Sequence, residues 1–350
     1  MSIFKAYDIR GVYPGEFDEA KARAIAGAFV AYLGAKRILV GRDMGTHSPS
    51  LAVAVIDGAT GAGADVVAAG LVTTPMSYFG TGRLGLDGGL MVTASHNPGK
   101  YNGLKLCGPG AGPISGDRGI PEIAAMVAKG EPKPASRRGT VSREDILEAY
   151  IAHVASLAGM GRPLRVALDG GNGMGGPVAA AILERLGHRM QAIYLEPDGR
   201  FPNHEANPLK AENLRDLQDL VMRTGSDLGV AFDGDADRAI VVDERGEAVG
   251  NDLLTALLAP EVLKRHPGAA IVYDLRSTWA VREEIARAGG VPVRERVGHS
   301  FIKATMRERK SPFGGELSGH TYWAENYTAD SAMIAMVRVI FLLQVAGKPL

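Results

Sequence analysis

Short apolar runs rich in β-branched residues recur along this chain between alanine-rich stretches of helical period. That alternation restricts the fold to sheets with helices packed across them. Ala20 to Leu33 is expected as helix and Arg37-Ile38-Leu39-Val40 as strand, followed by Ser50 to Gly61 as helix and Asp65-Val66-Val67-Ala68 as strand. The pattern restarts at Leu164 to Asp169, passes through a helix over Pro177 to Leu186 with proline in its first turn, and reaches a strand at Met190 to Leu195. A third cycle opens near Glu247 and contains Ala270 to Asp274. Between Gly108 and Gly119, and again from Gly130 to Gly139, Gly, Pro, Ser and charge accumulate without period. The second stretch marks a boundary. There is no exact repeat, yet three successive α/β units of about 100 residues match common domain sizes. The expected limits are 1–138, 139–246 and 247–350.

Composition narrows the function classes. The 39 basic and 39 acidic side chains cancel, so no global field argues for nucleic acid or an anionic membrane. The most apolar stretch, Ala332 to Ala346, is interrupted by Arg338 and is short of the roughly 20 residues that span a bilayer, so it is expected as a buried helix. The amino terminus lacks the apolar core of a signal peptide. One cysteine, Cys107, cannot form an internal disulfide; it fits a reducing cytoplasm and reads as a packing residue.

Two motifs carry chemistry. Thr93-Ala94-Ser95-His96-Asn97-Pro98 follows the apolar run Gly89 to Val92. Ser95 is therefore expected at the carboxyl end of a buried strand, where open α/β sheets hold ligands. Taken alone, Ser and Asn at such a place also serve as ordinary turn formers. The second motif, Asp233-Gly234-Asp235-Ala236-Asp237-Arg238, lies between the strand-like runs Ser226 to Phe232 and Ala239 to Val242. Gly234 and Ala236 add little bulk, so the loop can aim three carboxylates at one point, where their repulsion demands a cation. Hard oxygen ligands suit Mg²⁺ or Ca²⁺. An EF-hand loop would use Asp233, Asp235, Asp237 and Glu244, but its obligatory glycine is Arg238 here and strands stand where helices should flank it.

Three further segments are less specific. Tyr7-Asp8-Ile9-Arg10-Gly11 sets a guanidinium, suited to phosphate oxygens, beside a glycine. Gly314-Gly315-Glu316-Leu317-Ser318-Gly319-His320 offers Glu316, Ser318 and His320 to vicinal hydroxyls. Gly171-Asn172-Gly173-Met174-Gly175-Gly176, with Glu196 ending the next strand, satisfies a dinucleotide fingerprint, so an NAD(P)-dependent oxidoreductase is a second reading. Asp169 and Asn172 crowd that turn with polar groups that a pyrophosphate does not require.

Together, the serine hexapeptide, the loop Asp233 to Arg238 and the loop Gly315 to His320 resemble the α-D-phosphohexomutases, in their phosphomannomutase/phosphoglucomutase branch. Tyr7 to Gly11 and Tyr101-Asn102-Gly103-Leu104-Lys105 support the match, and the pieces run in the family's order over nearly the whole chain. The resemblance implies three tandem α/β domains with mixed sheets. It implies an isomerase that interconverts hexose 1-phosphates and hexose 6-phosphates of mannose or glucose, with phosphoglucosamine mutase as the alternative. Leu317 stands where the glucose and mannose enzymes usually carry methionine and the glucosamine branch glutamine.

By the same resemblance Ser95 is carried as phosphoserine, and Asp233, Asp235, Asp237 and one phosphoryl oxygen enclose Mg²⁺. A hexose 1,6-bisphosphate is the intermediate and activator. Lys105 and His299 are assigned to acid and base work, with Arg10 and Arg238 stabilising charge and His96 shaping the serine loop. Tyr7, Glu316, Ser318, His320 and Arg276 are assigned to the sugar phosphate. The implied partners are small sugar phosphates; monomer and dimer both stay open.

Two departures accompany the match. Gly45 stands in Gly41 to Ser48 where relatives often place a basic residue, so Arg42 is given no substrate role. Family members also carry a fourth, carboxyl-terminal domain whose Ser/Thr-rich loop holds the non-reacting phosphate, and this sequence ends at Leu350 before any such loop. The expectation is a fragment of a longer protein. These 350 residues alone would then bind sugar phosphates with reduced turnover, because remote phosphate contacts supply binding energy for catalysis.

Overall fold

In the computed structural model, which describes residues 3–130 and 135–350, the expected alternation of strand and helix is present. The chain forms two compact units, Met1–Leu147 and Glu148–Leu350. Part of the boundary stretch expected over 130–139 lies outside the described residues.

The first unit runs β1 (Ile9–Val12), α1 (Glu19–Leu33), β2 (Arg37–Arg42), α2 (Ser48–Gly61), β3 (Asp65–Leu71), α3 (Thr74–Arg83), β4 (Gly88–Val92), β5 (Tyr101–Gly108), β6 (Gly112–Pro113), α4 (Ile120–Ala128) and β7 (Val141–Arg143). Its sheet has the order β1-β5-β4-β2-β3-β7, with β6 against β5. Strands β4, β2, β3 and β7 are parallel, and β5 and β1 are antiparallel to their neighbours. Ile38, Leu39, Val40, Leu90, Met91 and Val92 are all buried, as continuous apolar runs at the centre of a parallel sheet must be. Asp18 starts α1 by accepting the Lys21 N–H at 2.8 Å, and Gly34, at φ +61°, ends it. Strand β7 pairs with β3. The chain through Leu147 therefore stays with this sheet, and the break between units falls beyond residue 138.

The second unit holds α5 (Leu147–Leu157), which begins at the junction, then β8 (Arg165–Asp169), α6 (Gly175–Arg185), β9 (Arg189–Ile193), α7 (Arg215–Thr224), β10 (Leu228–Phe232) and β11 (Ala239–Val242). It continues with α8 (Asn251–Arg265), β12 (Ala270–Asp274), α9 (Trp279–Arg287), β13 (Val291–Glu295), α10 (His299–Arg309), β14 (Phe313–Gly315), β15 (Thr321–Trp323), β16 (Ala329–Asp330) and α11 (Ala332–Ala346). Two sheets result, of order β11-β10-β8-β9 and β13-β12-β14-β15-β16. Helix α11 is buried as expected; Arg338 is accommodated by an ion pair to Glu325 at 2.9 Å. Among the described residues no helix is long and apolar enough to cross a membrane.

One order of events recurs in all three sheets. A parallel strand (β2, β8 or β12) leads through a helix to a neighbour on one side (β3, β9 or β13). The chain then crosses to the other side of the first strand (β4, β10 or β14) and reverses into an antiparallel strand (β5, β11 or β15). The first and third strands of each set thus flank a point where the strand order reverses, and ligands bind at the carboxyl ends there. Loops 93–100, 233–238 and 316–320 occupy those ends.

Gly103 on β5 pairs with Arg10, and a Cβ there would collide with the Ile9 carbonyl. Gly103→Ala is therefore expected to prise β1 from the sheet at a cost of about 1–3 kcal/mol. A lower urea midpoint by circular dichroism would show it, and an unchanged midpoint would mean that β1 yields freely.

Candidate active site

In the first unit Ser95 lies beyond the end of β4, 3% exposed, with φ +54°. A non-glycine residue pays about 1 kcal/mol for that left-handed conformation, and such strain gathers at functional turns. The conformation is held locally: Ser95 N–H donates to Thr93 Oγ1 at 2.8 Å, and the Asn97 amide donates to the Ala94 carbonyl at 2.9 Å. His96 Nδ1 lies 3.2 Å from Ser95 Oγ. Lys105 is buried on β5 opposite Met91 of β4, the strand that delivers Ser95. Arg10, on β1 along the other edge of β5, is ion-paired to Asp8 at 2.6 Å, and Tyr7 just before it is half-buried. Arg42 donates to the Asp43 carbonyl at 3.1 Å.

Asp43 ties this loop together and was not singled out from sequence. Its Oδ1 accepts from Gly45 N–H at 2.8 Å and Ser48 Oγ at 2.5 Å, and its Oδ2 from Ala94 N–H at 3.3 Å. Asn102 in turn donates to Ser48 Oγ at 3.0 Å. Its role is invisible to periodicity, because the contact that ties it to the serine loop, Ala94, lies 51 positions away.

In the second unit Asp233, Asp235 and Asp237 are all buried, and one carboxylate oxygen from each lies within 4.8 Å of the others. Ala236 takes φ +60°, and Asp233 Oδ1 accepts the N–H groups of Asp237 at 3.1 Å and Arg238 at 3.2 Å, which curls the loop. Burial, then Asp237 and Asp235, push the Asp233 carboxyl well above its usual range. Arg238 Nε lies 3.5 Å from Asp233 and 3.8 Å from Asp237. Burial disfavours its charge, but the aspartates outweigh that and hold it protonated. One guanidinium cannot balance three carboxylates, and the all-oxygen donor set fits a hard divalent cation.

The loop 316–320 joins the aspartate loop directly. Arg238 and His320 form an isolated β-bridge, Arg238 Nε donates to His320 Nε2 at 3.4 Å, and His320 Nε2 lies 3.4 Å from Asp237. Ser318 Oγ is 2.9 Å from His320 Nδ1. Glu316 is 2% exposed, and its oxygens accept from Gly298 N–H at 2.9 Å and Tyr322 OH at 2.5 Å, so it braces the loop internally. Burial and then Glu316 raise the Tyr322 hydroxyl well above its usual range. The Gly298 bond sets the start of α10, where the His299 ring stands 6.4 Å from that of His320. Arg276 is reached through Asp274, which binds its guanidinium at 2.7 Å and also accepts Leu317 N–H at 3.1 Å. Tyr322 and Asp274 were both missed from sequence; each acts only through partners brought in by the sheet.

The motifs and the sheets that carry them match three family models, phosphoglucomutase/phosphomannomutase α/β/α domains I, II and III, over residues 1–133, 148–246 and 250–350. The chain belongs to the phosphoglucomutase/phosphomannomutase family. It is 40% identical to a phosphomannomutase of Salmonella montevideo over 100% of this chain and 79% of that protein. A phosphoglucomutase of Neisseria gonorrhoeae is 38% identical over 99% of this chain and 76% of its own length. A phosphoglucomutase/phosphomannomutase family protein from Burkholderia thailandensis superposes with a TM-score of 0.92 at 35% identity, covering 98% of this chain and 77% of the other. Members of this family are intramolecular phosphotransferases, and this chain is an enzyme of that class with three tandem α/β/α domains.

The oxidoreductase reading fails on geometry as well. A Cβ at Gly173 would meet Gly234 at 3.0 Å, and one at Gly175 would meet Phe232 at 2.8 Å. The glycines make room for neighbouring protein, and residues 171–176 are all buried.

A cation that binds only the folded triad stabilises the fold by mass action, about 2.7 kcal/mol at a hundredfold excess over Kd. Millimolar Mg²⁺ is expected to raise the melting midpoint of the chelator-treated protein, and Asp235→Asn with Asp237→Asn to abolish the rise. An equal rise in the double variant would place the cation elsewhere.

Proposed function

We propose that this chain interconverts hexose 1-phosphates and hexose 6-phosphates, with mannose and glucose phosphates preferred, and that Ser95 carries the phosphoryl group between the two oxygens. The observation that carries this reading is the Arg238–His320 bridge, which fastens a buried three-carboxylate loop to a glycine-flanked Glu-Ser-His loop. A charge-handling element and a hydroxyl-reading element are thereby built as one surface. Positioning and charge neutralisation are what phosphoryl transfer asks of a protein.

In the proposed cycle Ser95 delivers its phosphoryl group to the free hydroxyl of the bound sugar phosphate, giving the hexose 1,6-bisphosphate. That intermediate reorients and returns its other phosphoryl group to Ser95. Asp233, Asp235 and Asp237 hold Mg²⁺, which when bound offsets phosphoryl charge and polarises phosphorus. Arg238 keeps a fixed positive charge beside the triad. Lys105 and His299 take and return the hydroxyl proton, Arg10 and Tyr7 face phosphate, and Arg276, Ser318 and His320 read the sugar. Glu316 serves by holding Gly298 and Tyr322. The absence of glutamine at position 317 favours hexoses over glucosamine phosphates. A reducing cytoplasm suits the single cysteine, Cys107, which is buried.

Intact mass spectrometry after incubation with glucose 1,6-bisphosphate is expected to show one added phosphoryl group on the native protein and none on Ser95→Ala. A phosphoryl group that survives in the variant would assign the carrier to another residue.

A further inference from the structure

The glycine turn 171–176 has no role in the cycle above, yet it packs directly against the metal loop. Met174 N–H donates to the Gly234 carbonyl at 2.9 Å. A Cβ at Gly173 would sit 3.0–3.2 Å from the Gly234 and Asp233 backbones, so an added methyl group would press the metal loop by a few tenths of an ångström. The turn is strained, with Gly171 and Asn172 both at φ +53°. It is held by side chains of its own unit. Asn172 donates to the Glu196 carbonyl at 2.9 Å and accepts from the Asn203 amide at 2.8 Å. Asp169 Oδ1 accepts Gly171 N–H at 2.8 Å.

The other oxygen of Asp169 distinguishes this unit from its two counterparts. Asp43, Asp169 and Asp274 each follow or end the first strand of their sheet, and each accepts the backbone N–H two residues on, at 2.8, 2.8 and 2.9 Å. In the first and third sheets the second oxygen accepts an N–H of the functional loop itself, Ala94 or Leu317. In the middle sheet it meets His204 Nε2 at 3.0 Å instead, while His204 Nδ1 lies 2.9 Å from the Glu205 carbonyl. Both ring nitrogens face acceptors, so both donate only when the ring is the imidazolium.

We propose that Asp169 and protonated His204 form a clamp that fixes the glycine turn, and through it sets the shape and cation affinity of the metal loop. The pair are positioning residues, and the clamp rests on the assignment of Asp233, Asp235 and Asp237 as the cation site. Around His204 stand Asp169 on β8, Tyr194 after β9 with its ring edge-on at 5.5 Å, Asp216 on α7 bonded to the Tyr194 hydroxyl at 2.8 Å, and Glu205, which is paired with Lys210. The hydrogen bond to Asp169 raises the His204 pKa above its ordinary value, against the cost of burial. A group raised in the folded state contributes fully below its unfolded pKa and loses that contribution as pH rises through the folded pKa. The clamp is therefore closed below the ordinary histidine range and opens as pH rises through the raised His204 pKa.

The test is Mn²⁺ binding by the whole chain, followed by electron paramagnetic resonance from pH 6 to 9, with circular dichroism as the folding control. The native protein is expected to lose affinity as pH rises through the His204 step. His204→Gln and Asp169→Asn should both bind Mn²⁺ about tenfold more weakly below that step and show no step, the size typical of residues that orient metal ligands. Gly173→Ala should weaken binding at every pH while keeping the step. Either clamp variant, folded and tracing the native profile, overturns the proposal. Failure of the native protein to bind Mn²⁺ at any pH would instead remove the cation-site assignment, and the clamp with it.

Discussion

Three carboxylates buried within one turn repel each other, and the second unit is arranged around containing that repulsion. Asp233 spends one oxygen on backbone N–H groups of its own loop, Arg238 supplies a single fixed positive charge, and the remaining deficit calls for a cation. Because Arg238 also bonds His320, the element that limits charge in the aspartate loop orients the loop 316–320 too. A substitution at Arg238 would therefore disturb both elements at once. The loop in turn needs a rigid floor, which the glycine turn supplies through the Met174 bond.

The same architectural answer is used three times with different chemistry. At each reversal of strand order a buried aspartate closes a short turn by accepting from the residue two positions on. What differs is the loop delivered by the third strand: a hydroxyl in the first sheet, carboxylates in the second, hydroxyl- and imidazole-bearing groups in the third. A local turn device thus fixes where each loop begins, and the residues of the loop decide what it does.

Much of this was legible in the sequence, for reasons that can be named. Arg37 to Val40 and Ala270 to Asp274 read as strands because a buried parallel strand is apolar on both faces. The aspartate triad was legible because its ligands are adjacent in the chain. Glu316 was recognised as a site residue, but its bonds to Gly298 and Tyr322 were not, because they form only once the third sheet and α10 are in place. Asp43, Asp274 and His204 escaped notice for the same reason: each is defined by a contact distant in sequence. The glycine turn showed the opposite failure, since Gly173 and Gly175 satisfy a local pattern whose meaning depends on what packs against it.

Among the described residues, strand β1, which bears Arg10, has no neighbour in the sheet except β5. During synthesis it must wait, unpaired, until β2, β3 and β4 have emerged and β5 has followed them. Long-range pairings of this kind form late, because loop closure has to precede any stabilising contact. Arg10 therefore joins the serine-bearing sheet near the end of that unit's assembly, and a nascent chain stalled before Gly108 would leave its first strand open to association with another edge.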